Sequence, residues 1–194
     1  MLFRSRFLEN MVGRSKEFWT YFYKDLQEHF PGQLQNVSLE DFYAATNRVD
    51  PSFIRVEADE LTYNLHIMIR YEIEKGLFAG EYEVKDLPKV WNEKIEEYLG
   101  ITPPTDTLGV LQDVHWSFGG FGYFPSYSLG NLYAAQILYA FIKEMPDFYD
   151  KIEQGDFMAI RGWLRENIHQ YWKLYSQIGR ARVGKECPLL CRSR

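Results

Sequence analysis

Hydrophobic residues recur at three- and four-residue spacing along most of the chain, and this spacing predicts α-helices. The first predicted helix runs from Phe7 to Phe30, where Pro31-Gly32 ends it. The other predicted helices cover 39–46, 51–75, 87–99 and 127–144, with two more beginning at Asp147 and Asp156. Ser38 and Asp41 have the spacing of a capping box for the second helix. The sequence therefore predicts an all-α fold.

Two segments depart from the helical pattern. Residues 77–84 (LFAGEYEV) are the one place where a short strand or hairpin is predicted as an alternative to helix. The stretch from Gly100 to Gly122 is rich in glycine and proline near its two ends and is predicted to be irregular. We find no internal repeat and no low-complexity run.

The composition and charge of the chain exclude some classes of function. Of the 194 residues, 46% are hydrophobic and 17% aromatic, which is enough to bury a sizeable core. A net charge of −5 argues against binding to a nucleic-acid backbone. No apolar run approaches the ~20 residues of a membrane span, so no membrane partner is expected. The N-terminus lacks the features of a signal peptide, and Cys187 and Cys191 are interpreted as free thiols, so we expect a cytoplasmic protein.

Polar residues follow one side of the predicted third helix. Arg55, Asp59, Thr62 and His66 are separated by steps of four, three and four, which would place them on one stripe. The simpler interpretation is a surface ion pair between Arg55 and Asp59. The alternative is a binding site, because an arginine held by an aspartate can offer two parallel hydrogen bonds to a carboxylate.

A second group lies in the irregular segment. Gln112, Asp113 and His115 fall within four residues. A carboxylate beside an imidazole can fix its tautomer and raise its basicity, which suits a proton shuttle, an oxyanion donor or the surroundings of a metal. A hydrogen-bonded loop histidine without catalytic function is the alternative. Tyr123 and Tyr127 flank Pro125, and one phenol could face a pocket or both could be core residues.

No complete catalytic set is present by motif. The four histidines are dispersed, no H-E-x-x-H or G-x-S-x-G occurs, and the glycines at 119, 120 and 122 lack the lysine of a phosphate loop. The two groups of candidate residues therefore correspond to one wall of a catalytic pocket, and the sequence does not show the other walls.

Several segments together resemble the M32 zinc metallocarboxypeptidases of the thermostable carboxypeptidase Taq type. The family pattern I/V-R-x-x-A-D corresponds to Ile54–Asp59, and G-x-x-Q-D-x-H-W corresponds to Gly109–Trp116. The stretches Glu9–Ser15 and Trp163–His169 are also similar. The resemblance covers about 5–175. We therefore expect residues 1–175 to be the C-terminal helical part of such an enzyme and 176–194 to be a divergent basic tail.

The resemblance implies an α-helical homodimer that removes residues from peptide C-termini. Its zinc (or cobalt) is held by two histidines of H-E-x-x-H and by a glutamate of a later motif. In this chain that later motif would fall on Met1–Arg6, with Leu2 in place of the glutamate, and H-E-x-x-H would lie upstream. No metal ligand and no bound metal are therefore expected here. A truncated or frameshifted product is our expectation.

The same resemblance suggests roles for the candidate residues. His115, Asp113, Tyr123 and Tyr127 are assigned to catalysis, and Arg55, Asp59 and Gln112 to substrate binding, in the substrate-side wall of the cleft. Three hypotheses stay open: a fragment inactive alone, one half of a split enzyme, or a non-catalytic helical interaction or regulatory protein. Uncovered apolar surface also predicts self-association, in keeping with a homo-oligomer.

Overall fold

The computed structural model describes residues 5–171, which form two compact units. Among the described residues, the first unit joins 5–46 to 130–171, and the second is 47–129. The tail at 176–194, with Cys187 and Cys191, and the position of Leu2 lie outside the described residues. Every regular element within the described range is helical, which confirms the all-α prediction.

Eight α-helices occur among the described residues. They are α1 (Lys16–His29), α2 (Pro31–Leu34), α3 (Leu39–Thr46), α4 (Glu60–Ala79), α5 (Leu87–Leu99), α6 (Pro125–Glu144), α7 (Phe148–Glu153) and α8 (Phe157–Asn167). Shorter turns accompany them: a π-helical turn at Phe7–Val12 and 3₁₀ turns at Arg55–Glu57, Val84–Asp86, Trp116–Phe118 and His169–Tyr171. The predicted helices over 39–46 and 87–99 and those after Asp147 and Asp156 are confirmed.

The single helix predicted from Phe7 to Phe30 is wrong, because the chain turns between two helical pieces. A π-type bond from the Gly13 amide to the Leu8 carbonyl, 2.8 Å long, closes the first piece. Ser15 then begins α1, its hydroxyl accepting from the Phe18 amide at 3.2 Å. Hydrophobic spacing continues through this break, so periodicity alone could not show it.

The core of the first unit contains several aromatic rings among its aliphatic side chains. Its buried residues are Phe7, Val12, Ala134, Phe141, Phe148, Ile152, Ile160 and Leu164. The ring centroids of Phe141 and Trp163 are 4.2 Å apart, and those of Phe141 and Phe148 are 4.8 Å apart. These tilted ring contacts add to the stabilisation that burial of apolar area gives.

In the second unit α4 packs against α5. Their shared core contains Ile69, Ile73, Leu87, Trp91, Ile95, Leu99 and Val110. Glycines in the left-handed conformation end both helices, Gly80 after α4 and Gly100 after α5, as expected for residues without a Cβ atom. The segment from Gly100 to Gly122 is irregular as predicted, apart from its 3₁₀ turn.

The third helix was predicted to begin at Pro51 and to stop at Gly76, and both limits are wrong. It begins at Glu60 and continues to Ala79, so no strand forms over 77–84. Gly76 instead leaves space for the ring of Tyr82, whose hydroxyl donates to the Ile73 carbonyl at 2.7 Å. Between residues 5 and 171 no helix is both long and apolar enough to cross a bilayer.

Candidate functional site

A stripe of polar side chains lies on the buried side of α4. Thr62, His66, Arg70 and Glu74 follow one another at four-residue intervals, and each is at most 5% exposed. Residues four apart on a helix lie on the same face. Buried polar groups are costly unless they are hydrogen-bonded. The ring nitrogens of His66 have no hydrogen-bond partner among the described residues, so the partners of Arg70 and Glu74 define the centre of the site.

The guanidinium of Arg55 reaches Asp113 from the 3₁₀ turn before α4. Nη2 donates to Oδ1 at 2.7 Å and Nε donates to Oδ2 at 3.0 Å. Nη1 donates to the Tyr63 hydroxyl at 3.0 Å. Two parallel bonds to one carboxylate are the strongest geometry for an arginine ion pair.

Arg70 approaches the same carboxylate from α4. Its Nε donates to Asp113 Oδ2 at 2.7 Å, Nη1 donates to the His66 carbonyl at 2.7 Å, and Nη2 donates to Gln112 Oε1 at 2.9 Å. One aspartate thus lies between two guanidinium groups. We call Arg55, Arg70, Gln112 and Asp113 the arginine frame.

The charges of the frame stay ionised at neutral pH. Burial alone would raise the pKa of Asp113, but the hydrogen bonds and charges of Arg55 and Arg70 hold it below its usual value. Burial lowers the pKa of Arg70 to about 10, against the effect of Asp113. Burial also opposes the charge on Arg55, yet the contacts with Asp113 raise the pKa of Arg55 above its usual value. The frame therefore carries two positive charges and one negative charge.

Gln112 uses both ends of its amide. Its oxygen accepts from the Arg55 backbone amide and from Arg70 Nη2, both at 2.9 Å. Its nitrogen donates to the Phe53 carbonyl at 2.8 Å and to the Leu108 and Gly109 carbonyls at 3.1 Å. The side chain thus ties the irregular segment to the turn before α4.

His115 lies at the edge of the frame, inside a group of aromatic rings. Its Nε2 is 3.2 Å from the Tyr127 hydroxyl. Its Nδ1 has no hydrogen-bond partner and is 3.8 Å from Asp113 Oδ1. Burial lowers the pKa of His115, with the charge of Asp113 acting in the opposite direction. The imidazole is therefore neutral at neutral pH and can still gain a proton or donate a hydrogen bond.

The two candidate tyrosines differ in their contacts. Tyr127 bonds His115 and lies under the Arg55 guanidinium, whose carbon is 4.9 Å from the ring centroid. Burial raises the pKa of Tyr127. Tyr123 is 47% exposed, and its ring centroid is 5.4 Å from that of His115. Tyr127 is thus the phenol that is held against the imidazole.

The predicted pair of Arg55 with Asp59 is wrong. Asp59 is the residue before α4, and its carboxylate accepts from the Leu61 and Thr62 amides, both at 2.9 Å, and from the Thr62 hydroxyl at 2.7 Å. These bonds lower the pKa of Asp59, although burial acts in the opposite direction. Because the helix starts after Asp59, Arg55 lies outside the helical stripe and Asp59 does not orient it.

Arg70, Tyr63 and Glu74 belong to the site and were not predicted from the sequence. A signal for two of them exists, since the step of four from Thr62 to His66 continues to Arg70 and Glu74. Charged residues on the apolar side of a helix are the feature to recognise. Tyr63 carried no comparable signal.

The described residues do not fit a metal centre. Between residues 5 and 171 no group of three His, Cys, Asp or Glu side chains lies close enough to hold an ion. Both Asp113 oxygens are also occupied by guanidinium donors. What the site offers is a fixed cationic frame beside a neutral imidazole and a phenol.

Comparison with known proteins identifies similar chains. The family model described as carboxypeptidase Taq (M32) metallopeptidase matches residues 3–182. Carboxypeptidase 1 of Bacillus subtilis (strain 168) is 55% identical over 170 residues, which cover 88% of this chain and 34% of that protein. Thermostable carboxypeptidase 1 of Pyrococcus furiosus is 45% identical over 172 residues, covering 89% of this chain and 34% of the relative.

Solved structures with a similar fold were also found. The crystal structure named BsuCP has a TM-score of 0.88 at 51% identity and covers 95% of this chain and 38% of that chain. Trypanosoma cruzi metallocarboxypeptidase 1 has a TM-score of 0.88 at 39% identity, with 94% and 38% covered. The chain therefore spans about a third of the length of the curated relatives it matches.

Proposed function

Because the chain belongs to the carboxypeptidase Taq (M32) metallopeptidase family, we propose that it forms the substrate-side wall of a metallocarboxypeptidase cleft. The motif resemblance of Ile54–Asp59 and Gly109–Trp116 is thereby confirmed at the level of the family. The activity belongs to the whole family protein, of which this chain represents about a third.

The observation that carries the proposal is the position of His115 beside the arginine frame. A reaction that cleaves a terminal peptide bond needs a cation for the free carboxylate of the substrate and hydrogen-bond donors for the oxyanion that forms. The frame has an excess of one positive charge, from two arginines against Asp113. His115 and Tyr127 form a neutral hydrogen-bonded pair next to it, which has one donor left for the oxyanion.

Arg55 is the arginine that we assign to the substrate carboxylate. Arg70 uses Nε, Nη1 and Nη2 for bonds within the protein, as Arg55 does, but it is 0% exposed. Arg55 is 5% exposed, and Nη1 and Nη2 each have one of their two N–H groups engaged. The second N–H of each can meet a carboxylate. Asp113 and Gln112 hold Arg55 in place, and Asp59 fixes the start of α4 behind it.

A metallopeptidase requires a metal ion, and the described residues do not supply its ligands. We therefore place the zinc ligands outside the described residues, in the part of the family protein that this chain does not match. On this proposal the chain alone does not hydrolyse peptides. His115 and Tyr127 act on the substrate side, where the Nε2–H group of His115 donates to the Tyr127 hydroxyl and this hydroxyl donates to the carbonyl oxygen.

A chimera tests the proposal. The third of Bacillus subtilis carboxypeptidase 1 that matches this chain is replaced by residues 5–171, and release of C-terminal amino acids from a blocked peptide is measured with added zinc. We expect the chimera to be active and its Arg55→Ala variant to show a raised KM for peptides with a free C-terminal carboxylate. Peptides with an amidated C-terminus serve as the control, since they lack that charge.

Two results would count against the proposal. An inactive chimera that folds like its parent would show that this chain does not complete the cleft and would favour an interaction protein. An active chimera whose KM is unchanged by Arg55→Ala would remove Arg55 from substrate binding. Mixing the full chain with the remainder of the Bacillus enzyme tests the split-enzyme hypothesis, which predicts activity only in the mixture.

A further inference from the structure

Glu74 is a buried carboxylate to which the proposed reaction assigns no part. It lies on α4, one helical turn after Arg70, and is 5% exposed. Oε1 accepts from the indole nitrogen of Trp116 at 2.7 Å, and Oε2 accepts from the Gly122 amide at 2.8 Å. Both partners are uncharged N–H donors. A buried charge with neutral partners is costly to retain unless its bonds hold a particular structure.

The two donors stand at opposite ends of one loop. Trp116 follows His115 directly, and Gly122 directly precedes Tyr123. Within the loop, the Gly120 amide donates to the His115 carbonyl at 2.8 Å. A Cβ atom on Gly120 would lie 2.6 Å from the Phe118 ring, so the loop is tightly closed.

His115 contacts one residue within this loop and others after it. The centroid of its ring is 5.7 Å from that of Phe118, which lies inside the loop, and 4.5 Å from that of Phe124, which lies after it. Its bond to Tyr127 also spans the loop. The separation between His115 and Tyr127 therefore depends on how the two ends are held.

We propose that Glu74 is a positioning residue: its two oxygens clamp the ends of the 116–122 loop and so keep His115 in contact with Tyr127. The catalytic importance of this contact rests on the function proposed above. The positioning itself depends only on the geometry. A carboxylate suits the task because it offers two acceptors, whereas a carboxamide would offer one acceptor and present a donor to the second N–H group.

The test uses the full chain labelled with ¹⁵N-histidine. Ring signals of His115 are assigned from a His115→Gln variant, and the spectra of the parent and of Glu74→Gln are compared. We expect the chemical shift of His115 Nε2 to move toward that of an imidazole nitrogen without a hydrogen bond, while the chemical shifts of His29 stay unchanged. Glu72→Gln is the matched control. Glu72 is on the same helix and also accepts two bonds, from Tyr98 and Lys94, but it does not touch the loop.

The proposal is overturned if Glu74→Gln leaves the His115 signals in place, or if Glu72→Gln shifts them equally. Should Glu74→Gln fail to fold, Trp116→Phe removes one donor and keeps the aromatic ring; we expect a smaller shift of His115 in the same direction, and no shift would overturn the proposal.

Kinetics then separate this inference from the proposed function. In the chimera, Glu74→Gln is expected to lower kcat by up to about 100-fold with little change in KM, because misplacement by about 1 Å can have such an effect. Altered His115 signals in the chain together with an inactive parent chimera would refute the proposed function and leave the positioning role intact. Altered signals with an unchanged kcat would show that Glu74 holds the loop without any consequence for catalysis, and would refute that part of the inference.

Discussion

The guanidinium of Arg55 makes a two-pronged contact with the carboxylate of Asp113, with Nη2 2.7 Å from Oδ1 and Nε 3.0 Å from Oδ2. The two residues are 58 positions apart in the chain. The contact joins the turn before α4 to the irregular segment that carries His115. Since Arg70 binds the same carboxylate, loss of Asp113 would leave two buried cations facing each other.

We predict that Asp113→Asn lowers the free energy of unfolding by about 3–5 kcal/mol, as expected when one partner of a buried ion pair is removed. Urea denaturation followed by circular dichroism measures this change. Asp50→Asn is the control, because Asp50 pairs with Arg48 at 2.9 Å on the surface, where both side chains are more than half exposed. The control should lose less than about 1 kcal/mol. Equal losses in the two variants would contradict the buried frame.

Burial of His66 predicts a dependence of stability on pH. Burial, with the charge of Arg70, lowers the pKa of His66 to about 4, whereas an unfolded histidine has a pKa of about 6.5. Between these values the unfolded chain binds more protons than the folded chain. Stability therefore falls as the pH decreases, by about 2 kcal/mol between about pH 7 and about pH 5.

Urea denaturation of the parent and of His66→Gln at both pH values measures this contribution. Glutamine does not titrate, so the variant should lose less stability on acidification; a smaller loss remains, because the pKa of His115 is also lowered. Identical pH dependence in parent and variant would show that His66 is not the titrating group.

Helix existence was predictable from local pattern, whereas the partners of the site residues were not. The extents of α3 and α5 followed from spacing and capping residues, which act within one or two turns. The start of α4 did not, because Arg55 and Asp59 have the spacing of a helical pair, and only the bonds from Leu61 and Thr62 show that Asp59 is a cap.

The arginine frame depends on contacts between distant residues. Asp113 and Gln112 were recognised as candidates because polar residues crowd together there, yet neither Arg55 nor Arg70 could be assigned to them from periodicity. Arg70 lies among apolar neighbours at a position that helical spacing assigns to the core. Its charge is tolerated because Asp113, Gln112 and the His66 carbonyl surround it.

The two tyrosines should differ in their effect on catalysis. In the chimera, Tyr127→Phe is expected to lower kcat by about 100-fold, the scale of losing one oxyanion donor. Tyr123→Phe should cause the smaller loss, because the Tyr123 side chain is about half exposed and its contact with His115 is between the two rings, whose centroids are 5.4 Å apart. Steady-state kinetics on the two variants measure the difference. A larger loss for Tyr123→Phe would reverse the assignment.

Gly122 should resist substitution. Its φ of 72° is in the left-handed region, and its amide donates to Glu74. Gly122→Ala is therefore expected to lower the free energy of unfolding by about 1–2 kcal/mol. Gly32→Ala is the control, since Gly32 lies in α2 with open space around its Cα and should gain up to about 1 kcal/mol. Thermal unfolding of both variants measures these changes, and an unchanged stability of Gly122→Ala would show that position 122 does not require a glycine.

Exposed apolar side chains in the irregular segment predict self-association. Leu111, Val114 and Phe118 are 68%, 65% and 69% exposed. The three side chains lie close together in the sequence, and apolar patches of a few hundred Å² favour contact with another surface. We expect the full chain to sediment as dimers or larger species, consistent with the homo-oligomer inferred from the family resemblance.

Replacing all three side chains with serine should shift the chain toward the monomer without loss of helical circular dichroism. Met158→Ser is the comparison, because Met158 is 68% exposed but lies on α8, outside the segment. If Met158→Ser dissociates the chain as well as the triple variant does, association depends on apolar exposure in general and not on this segment. A parent chain that is monomeric at all concentrations would rule out self-association through any of these residues.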